Sequence, residues 1–134
     1  MTYHFSATIW QSFEEAVEKT KAVLKQHGFG MLTSIDVQTT LKDKLGVDFR
    51  PYQILGACNP QMAYKALQAE DKIGTMLPCN VILQERDDGM VEISVVDPVA
   101  SMQAIDNPAL GEVARNVRDQ LKAVIADIAA AAKS

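Results

Sequence analysis

The sequence predicts an α+β domain in which a curved, mainly antiparallel sheet is packed on one face by the first and last helices. Three observations predict this fold. A segment of alternating polarity near the N-terminus runs directly into a helical pattern, Asp87-Asp88-Gly89 marks a hairpin turn, and the longest apolar stripe lies near the C-terminus. The hairpin makes at least part of the sheet antiparallel, and a sheet backed by these two helices buries both stripes most simply.

The first half of the chain alternates strands and helices. Its predicted elements are a strand at 2–10, a helix that begins at the capping box of Ser12 and Glu15 and ends at Gly28, a strand at about 29–37 and a short helix at 39–46. Alternating apolar residues indicate both strands. In the second strand the side chains predicted to share one face are Phe29, Met31, Thr33, Ile35 and Val37.

The second half of the chain carries the clearest helix. Its predicted elements are a strand at 52–58, a helix opened by Asn59-Pro60 that fades near Asp71, strands at about 79–86 and 90–97, a helical segment at 99–105, and a last helix opened by Asn107-Pro108. The stripe of the last helix consists of Leu110, Val113, Ala114, Val117, Leu121, Val124, Ile125 and Ile128. The predicted order is β-α-β-α-β-α-β-β-α, and no glycine-rich strand-to-helix loop suggests a Rossmann fold.

Length and composition exclude several classes of protein. The 134 residues fit a single domain, 1–134, and 48% hydrophobic with 22% charged residues is ordinary for a globular chain. A net charge of −4 without a basic stripe argues against nucleic-acid binding. No stretch has the length and apolar character of a membrane span, and the N-terminus does not resemble a signal peptide. We therefore expect a cytoplasmic protein with two free thiols and no contact with membranes.

The two cysteines, Cys58 and Cys79, are the candidate reactive thiols. Cys58 comes just before a helix start, where partial positive charge would lower a thiol pKa. The alternative is that Cys58 follows Tyr52, Ile54 and Gly56 in phase and packs in the core, as unpaired cysteines usually do. Cys79 is in phase with core residues of the next strand. Because each cysteine lies at a strand end beside a proline-marked loop, the two thiols would face one another if those ends are neighbours.

Other candidate sites are weaker. The candidate ligand-binding residues are Arg50, Tyr52, Asn59 and Asn80. Arg50 lies between two aromatic residues, so it either grips an anion or stacks on its neighbours. No histidine or cysteine has the spacing of a metal site, and no serine or carboxylate pair has the context of a catalytic group. The residues therefore predict no catalytic site, no metal site and no cofactor, and they leave enzymatic activity open.

Four segments together resemble the domain-of-unknown-function 302 family. They are the run from Tyr52 to Pro60, Leu77-Pro78-Cys79, the hairpin Glu85–Gly89 and Asp97-Pro98. The resemblance covers nearly the whole chain. It implies a small protein, from a family that is largely bacterial and archaeal, with a fold similar to one half of the TATA-binding protein. It implies no activity, and the acidic charge argues against transferring DNA binding from that fold.

Three functional hypotheses follow. The first is a non-enzymatic binding or assembly module, homodimeric, with a groove beside the final helix for a small apolar or anionic ligand. Its adaptable lining would include Met31, Met62, Met76 and Met102. The alternative is a thiol-dependent redox or sulfur-carrier protein that uses Cys58 with Cys79. A third hypothesis is soft-metal binding by the two thiolates with a methionine or histidine.

Overall fold

A computed structural model describes residues 2–131 of the chain. Its five strands are β1 (His4–Ile9), β2 (Gly30–Asp36), β3 (Tyr52–Cys58), β4 (Cys79–Glu85) and β5 (Val91–Val96). Its α-helices are α1 (Phe13–Gln26), α2 (Val37–Leu45), α3 (Pro60–Ala69), α4 (Pro98–Ser101) and α5 (Pro108–Ala131), and a 3₁₀ turn spans Ile73–Met76. The predicted α+β class and order of the main elements are confirmed. The 3₁₀ turn is additional, and α4 is shorter than predicted.

The strands form one antiparallel sheet in the order β1-β5-β4-β3-β2. From β2 to β5, strands that follow one another in the chain also lie side by side in the sheet. Strand β1 instead pairs with β5, at the edge of the sheet opposite β2. Helix α1 therefore has to carry the chain from one edge of the sheet to the other. The hairpin predicted at Asp87-Asp88-Gly89 joins β4 to β5, and Gly89 has the positive φ, 84°, that such a turn needs.

The main core lies between one face of the sheet and helices α1 and α5. The buried strand residues of this layer are Ile9, Leu55, Ala57, Val81, Leu83, Val91, Ile93 and Val95. The helices supply Ala16, Val17, Val23 and Leu24 from α1, and Val117, Leu121, Val124, Ile125 and Ile128 from α5. Burying one such Leu or Ile side chain stabilises the fold by roughly 1.5–3 kcal/mol. The prediction that the first and last helices share one face is confirmed.

Strand β2 departs from the predicted pattern. The register shifts between Met31, which pairs with Ala57, and Thr33, which pairs with Gly56. This bulge places one extra residue, Leu32, in the strand and reverses the alternation of side chains after it. Met31 packs against the core, but Ile35 is 46% exposed. The prediction that Phe29, Met31, Thr33, Ile35 and Val37 all share one face of the strand is therefore wrong.

Helix caps define several element boundaries. The predicted cap at Ser12 is present, since its side chain accepts a hydrogen bond from the Glu15 N–H at 3.2 Å. Asp36 caps α2 by accepting from the Thr39 N–H at 3.0 Å, so Val37 begins the helix instead of ending the strand. Gly46 ends α2 with a φ of 67°, a conformation that costs glycine little.

A second, smaller core lies between α3, α4 and the first half of α5. Its buried residues are Ala66, Ile73, Met102, Leu110 and Ala114. The Asn107 side chain donates to the carbonyl of Ala69 at 2.7 Å and so ties the end of α3 to the start of α5. Across residues 2–131, none of the helices combines the length and apolar character that crossing a bilayer requires.

Candidate functional site

An apolar pocket opens at the end of the sheet where β3 leaves and β4 enters. Helix α3 follows β3 directly, and a loop returns the chain to β4. Helix α5 packs against α3 and contributes side chains to the pocket wall. The pocket is lined by Phe29, Ala57, Cys58, Asn59, Met62, Ala63, Ala66, Leu77, Pro78, Cys79, Pro98, Met102, Val113, Ala114 and Val117. Cys58 and Cys79 are the only ionisable groups in that lining. The strand ends at which the two cysteines lie are therefore neighbours.

The pocket is narrow. With its open mouth it encloses about 430 Å³, but the volume open to the centres of water molecules is only about 30 Å³. A cavity needs about 10–15 Å³ of such volume to hold one water, so this space suits one or two small atoms. Drug-sized ligands occupy pockets of roughly 300–1,000 Å³. The lining therefore selects for a small occupant.

Cys58 is half-buried and does not lie in the core phase of β3. The core-facing residues of this strand are Leu55 and Ala57, whereas Tyr52, Ile54 and Gly56 point to the opposite face. The interpretation of Cys58 as a core residue in phase with Gly56 is thus wrong, because that phase faces away from α1 and α5. Burial raises the pKa of the Cys58 thiol. The lowered pKa expected beside a helix start is wrong in direction, since desolvation of the thiolate dominates.

Cys79 begins β4 and packs against the main core. It lies directly opposite Ala57 in the register of β3 and β4. Burial, with a smaller effect from the neighbouring Cys58 charge, raises the pKa of Cys79 to about 11. Both cysteines are free, and the raised pKa of each thiol keeps it protonated at neutral pH. The register places the Cys79 side chain on the same face of the sheet as Ala57, and the next residue of β3, Cys58, alternates to the other face.

Two methionines complete a sulfur-rich lining. Met62, in the first turn of α3, and Met102, just after α4, line the same pocket as the two cysteines. Met102 and Cys79 also line an adjacent depression together with Met76. Of the four methionines expected to form an adaptable lining, two are absent from it: Met31 packs from β2 against the core, and Met76 lines only the adjacent depression. The pocket thus combines two thiols and two thioethers.

Asn59 positions the start of α3 at the pocket rim. Its side-chain oxygen accepts from the Met62 N–H at 3.3 Å, which is the predicted cap. Its side-chain nitrogen donates to Gln120 of α5 at 3.2 Å. These bonds use both ends of the amide, so Asn59 holds α3 against α5 and has little capacity left for a ligand.

The other candidate residues lie elsewhere. Arg50 donates to Gln84 at 3.0 Å and stacks over the Phe49 ring at 4.4 Å, which matches the stacking alternative and not the anion-binding one. Tyr52 and Asn80 line a shallow depression on the face of the sheet that carries no main helix. Asn80 is exposed there, whereas the adjacent Cys79 faces the pocket. The pocket lining therefore includes the two cysteines and Asn59 but not Arg50, Tyr52 or Asn80, although Asn80 lines the adjacent depression with Cys79.

Small residues of the helices were absent from the sequence prediction of this site. Ala63 and Ala66 of α3 line the pocket opposite Ala114 of α5. Their spacing by three places them on one face of α3, and small side chains at such a face allow close helix packing. The spacing of these two alanines was the sequence signal that could have placed α3 in the pocket wall. Within residues 2–131, no three His, Cys, Asp or Glu side chains gather in a way that would hold a metal ion.

Comparison with known proteins gives a family and a structural relative. A family model described as "Domain of unknown function DUF302" matches residues 5–128. The chain is similar to a solved protein from Bacillus stearothermophilus, described as an uncharacterized conserved protein DUF302, with 31% identity and a TM-score of 0.88. That similarity covers 96% of this chain and 99% of the relative. No curated protein matches the chain.

Proposed function

The chain belongs to the DUF302 family, and on that premise we propose that it is a non-enzymatic binding protein whose small ligand occupies the pocket beside α5. The observation that carries the proposal is the apolar, sulfur-rich lining shared by β3, β4, α3 and α5. Binding sites are typically concave and apolar with a few specific polar groups. Here the specific groups are the Cys58 and Cys79 thiols. The raised pKa of both thiols opposes a nucleophilic role for them at neutral pH.

The composition of the pocket wall supports an uncharged or soft ligand over an anion. No basic side chain lines the pocket. An anion would need a partner such as Arg50, which instead bonds to Gln84 near the β4–β5 hairpin. Desolvating an unpaired anion in an apolar pocket costs several kcal/mol or more, so the ligand has to be one that tolerates an apolar environment.

Xenon and the methionine methyl groups provide a direct test of binding at this pocket. Xenon enters small apolar cavities. In a chain labelled with ¹³C at the methionine methyls, xenon pressure is expected to shift the NMR signals of Met62 and Met102. Met31 and Met90 lie outside the pocket lining and serve as internal controls. Unchanged Met62 and Met102 signals would contradict binding here.

A variant that fills the pocket tests whether a ligand that copurifies with the protein binds there. Ala63→Leu extends a half-buried side chain of α3 into the pocket, and Ala123→Leu makes the same change at a half-buried position of α5 outside the lining. Native mass spectrometry of gently purified protein is expected to detect ligand mass on the original chain and on Ala123→Leu but not on Ala63→Leu. Ligand mass retained by Ala63→Leu would place binding elsewhere and refute the proposal.

A thiol-dependent redox or sulfur-carrier function is the second candidate, because both cysteines line one pocket. The raised pKa of each thiol opposes it, since the thiolate is the nucleophile. If Cys58 is the reactive thiol, Cys58→Ser would stay folded and lose rapid alkylation by iodoacetamide at pH 7.5. Alkylation of the original chain no faster than that of an ordinary buried thiol would exclude this function.

We also infer that the protein forms a homodimer through the free edge of β2. Leu32 of this edge strand is 63% exposed, and residues 30–35 carry no charge that would oppose antiparallel pairing with a second copy. Native mass spectrometry is expected to detect a dimer that Leu32→Lys dissociates, whereas Leu45→Lys, at a similarly exposed leucine outside the strands, leaves it intact. A monomeric original chain would contradict this inference.

A further inference from the structure

We propose that the face of the sheet opposite α1 and α5 binds an uncharged amphiphile, a molecule with a hydrogen-bonding head group and an alkyl tail. The head group contacts the buried hydroxyl of Ser94, and the tail extends past Val96 towards Met76. Binding here does not require a ligand in the pocket beside α5, so this site goes beyond the proposed function.

The first part of the site is a depression on the face of the sheet that carries no main helix. Its lining residues come from β1, β3, β4 and β5 and include His4, Tyr52, Ile82, Ser94 and Val96. The volume open to the centres of water molecules is about 390 Å³. Pockets for drug-sized ligands have volumes of roughly 300–1,000 Å³. This open-face depression is therefore large enough for an organic head group.

Ser94 supplies a hydrogen-bonding group at the floor of the open-face depression. It is only 8% exposed, and its hydroxyl lies 2.7 Å from that of Ser6, which faces it across β1 and β5. The Ser6 hydroxyl lies 3.0 Å from Nδ1 of His4. When Nδ1 carries a proton, Ser94 accepts from Ser6 and can donate its own proton to a ligand. In the other tautomer, Ser94 donates to Ser6 and its oxygen can accept from a ligand.

The charges around the open-face depression favour an uncharged head group. Within residues 2–131, no Lys or Arg side chain lines it, so an anion would lose its hydration without gaining a partner. The carboxylate of Glu92 is part of the lining, but it already accepts from Arg86 at 3.1 Å and from Gln84 at 3.2 Å. A cation would have to compete with Arg86 for that carboxylate. Hydroxyl and carbonyl groups therefore suit the lining best.

A second depression continues the site beyond the end of the sheet. It shares Asn80 and Val96 with the open-face depression and adds Met76 and Met102. Its volume open to the centres of water molecules is about 320 Å³, and none of the described residues that line it carries a charge. Methionine side chains adapt to the shape of an apolar ligand, and Met76 is 39% exposed. An alkyl tail in this methionine depression would remove that apolar surface from water.

The test is an NMR titration of the full chain with 1-decanoylglycerol below its critical micelle concentration. The chain carries ¹³C at the methionine methyls and ¹⁵N at the backbone amides. We expect saturable shifts of the Met76 methyl and the Ser94 amide, whereas Met31 and Met62 stay unchanged because they line neither depression. Unchanged Met76 and Ser94 signals would overturn the proposal.

Met62 separates this site from the proposed function, because it lines the pocket beside α5 and not the methionine depression. Shifts of Met62 in place of Met76 would put the amphiphile in that pocket, which would support the proposed function and refute the open-face site. Shifts of Met76 by decanoylglycerol in a chain whose Met62 does not respond to xenon would support the open-face site and refute the proposed function.

Ser94→Ala tests the contact with the head group. Loss of one hydrogen bond should weaken decanoylglycerol binding on the order of 10-fold. Ser34→Ala is the matched control, because it also removes a hydroxyl with a 2.7 Å hydrogen bond, from Gln53, but lies outside both depressions. Circular dichroism confirms that both variants are folded. Equal affinity of Ser94→Ala and the original chain would contradict the proposed contact.

The charge of the head group provides the last test. Decanoate and decyltrimethylammonium have similar alkyl tails and carry opposite charges. At pH 7.5 we expect each to bind on the order of 10-fold more weakly than decanoylglycerol, because the lining offers no free counter-charge. Tighter binding of either ion than of decanoylglycerol would overturn the assignment of an uncharged ligand.

Discussion

Cys79 lies directly opposite Ala57 in the antiparallel register of β3 and β4, so Cys58 is the chain neighbour of the residue that faces Cys79. This relationship brings together two cysteines that are far apart in sequence. It depends on β3 ending and β4 beginning at the same end of the sheet. The pocket is therefore a product of sheet register, and changes that disturb this register should alter it.

Ionisation of Cys79 should destabilise the fold at alkaline pH. Its pKa is raised in the folded state, so its contribution to stability is complete below the unfolded value of 9.0 and is lost as pH rises towards about 11. That difference corresponds to about 3 kcal/mol. Urea unfolding from pH 7 to 11 should record a loss of this order, and Cys79→Ala should reduce it. An identical pH profile in Cys79→Ala would contradict the raised pKa.

Gly56→Ala should destabilise the strand that leads to Cys58. A Cβ at Gly56 would collide with the Thr33 hydroxyl and lie 2.8 Å from Cγ of Pro78, the residue before Cys79. Overpacking of this kind typically costs about 1–3 kcal/mol. Gly74→Ala is the control, because nothing lies within 4 Å of its added Cβ. Thermal unfolding should show a lower Tm for Gly56→Ala alone, and Thr33→Ala should restore part of the loss.

Thr20→Val should stabilise the protein. Thr20 is fully buried in α1, and its hydroxyl has no hydrogen-bond partner. Replacing an unpartnered buried hydroxyl with a methyl group of similar size should raise the free energy of unfolding by about 1 kcal/mol. Thr40→Val should instead lower the free energy of unfolding, because the Thr40 hydroxyl donates a hydrogen bond to the Asp36 carbonyl at 2.7 Å. A loss of stability in Thr20→Val, measured by urea unfolding, would mean that the hydroxyl is bonded.

Asn59→Ala should loosen the junction of α3 and α5. The substitution removes both the cap on the Met62 N–H and the bond to Gln120. Loss of a cap costs about 0.5–2 kcal/mol, whereas Gln120→Ala removes only the second bond and should cost less. Hydrogen exchange of the first turn of α3 should accelerate more in Asn59→Ala than in Gln120→Ala. Equal exchange in the two variants would contradict the capping role.

The elements that follow strict periodicity could be predicted from sequence. The α5 stripe and the helix caps at Ser12 and Asn59 depend on local physics, and the structure has them where the sequence predicts them. Strand β2 was mispredicted because the bulge at Leu32 reverses the phase of the strand, and nothing in the local alternation of side chains reports it. A bulge is set by the partner strand. The side-chain phase of β2 is therefore a tertiary property.

The candidate site could be predicted only in part. The two cysteines and Met62 stand out in the sequence by residue type, but their common pocket requires the β3–β4 register and the passage of α5 above it. The direction of the thiol pKa values also depended on the fold. A helix start suggested stabilised thiolates, and burial reversed that effect. Desolvation of a thiol depends on all the residues packed around it in the fold, and the local sequence around each cysteine does not identify them.

The pairing of β1 with β5 has a consequence for synthesis on the ribosome. Strands β2 to β5 emerge in the order in which they lie side by side, so each finds its partner as soon as it appears. Of the five strands, β1 emerges first, yet its partner strand begins only at Val91. During most of translation, the apolar face of β1 and the stripe of α1 therefore lack their final contacts. We expect a nascent chain stalled before Val91 to recruit chaperones through these two segments, and one extended past α5 to release them.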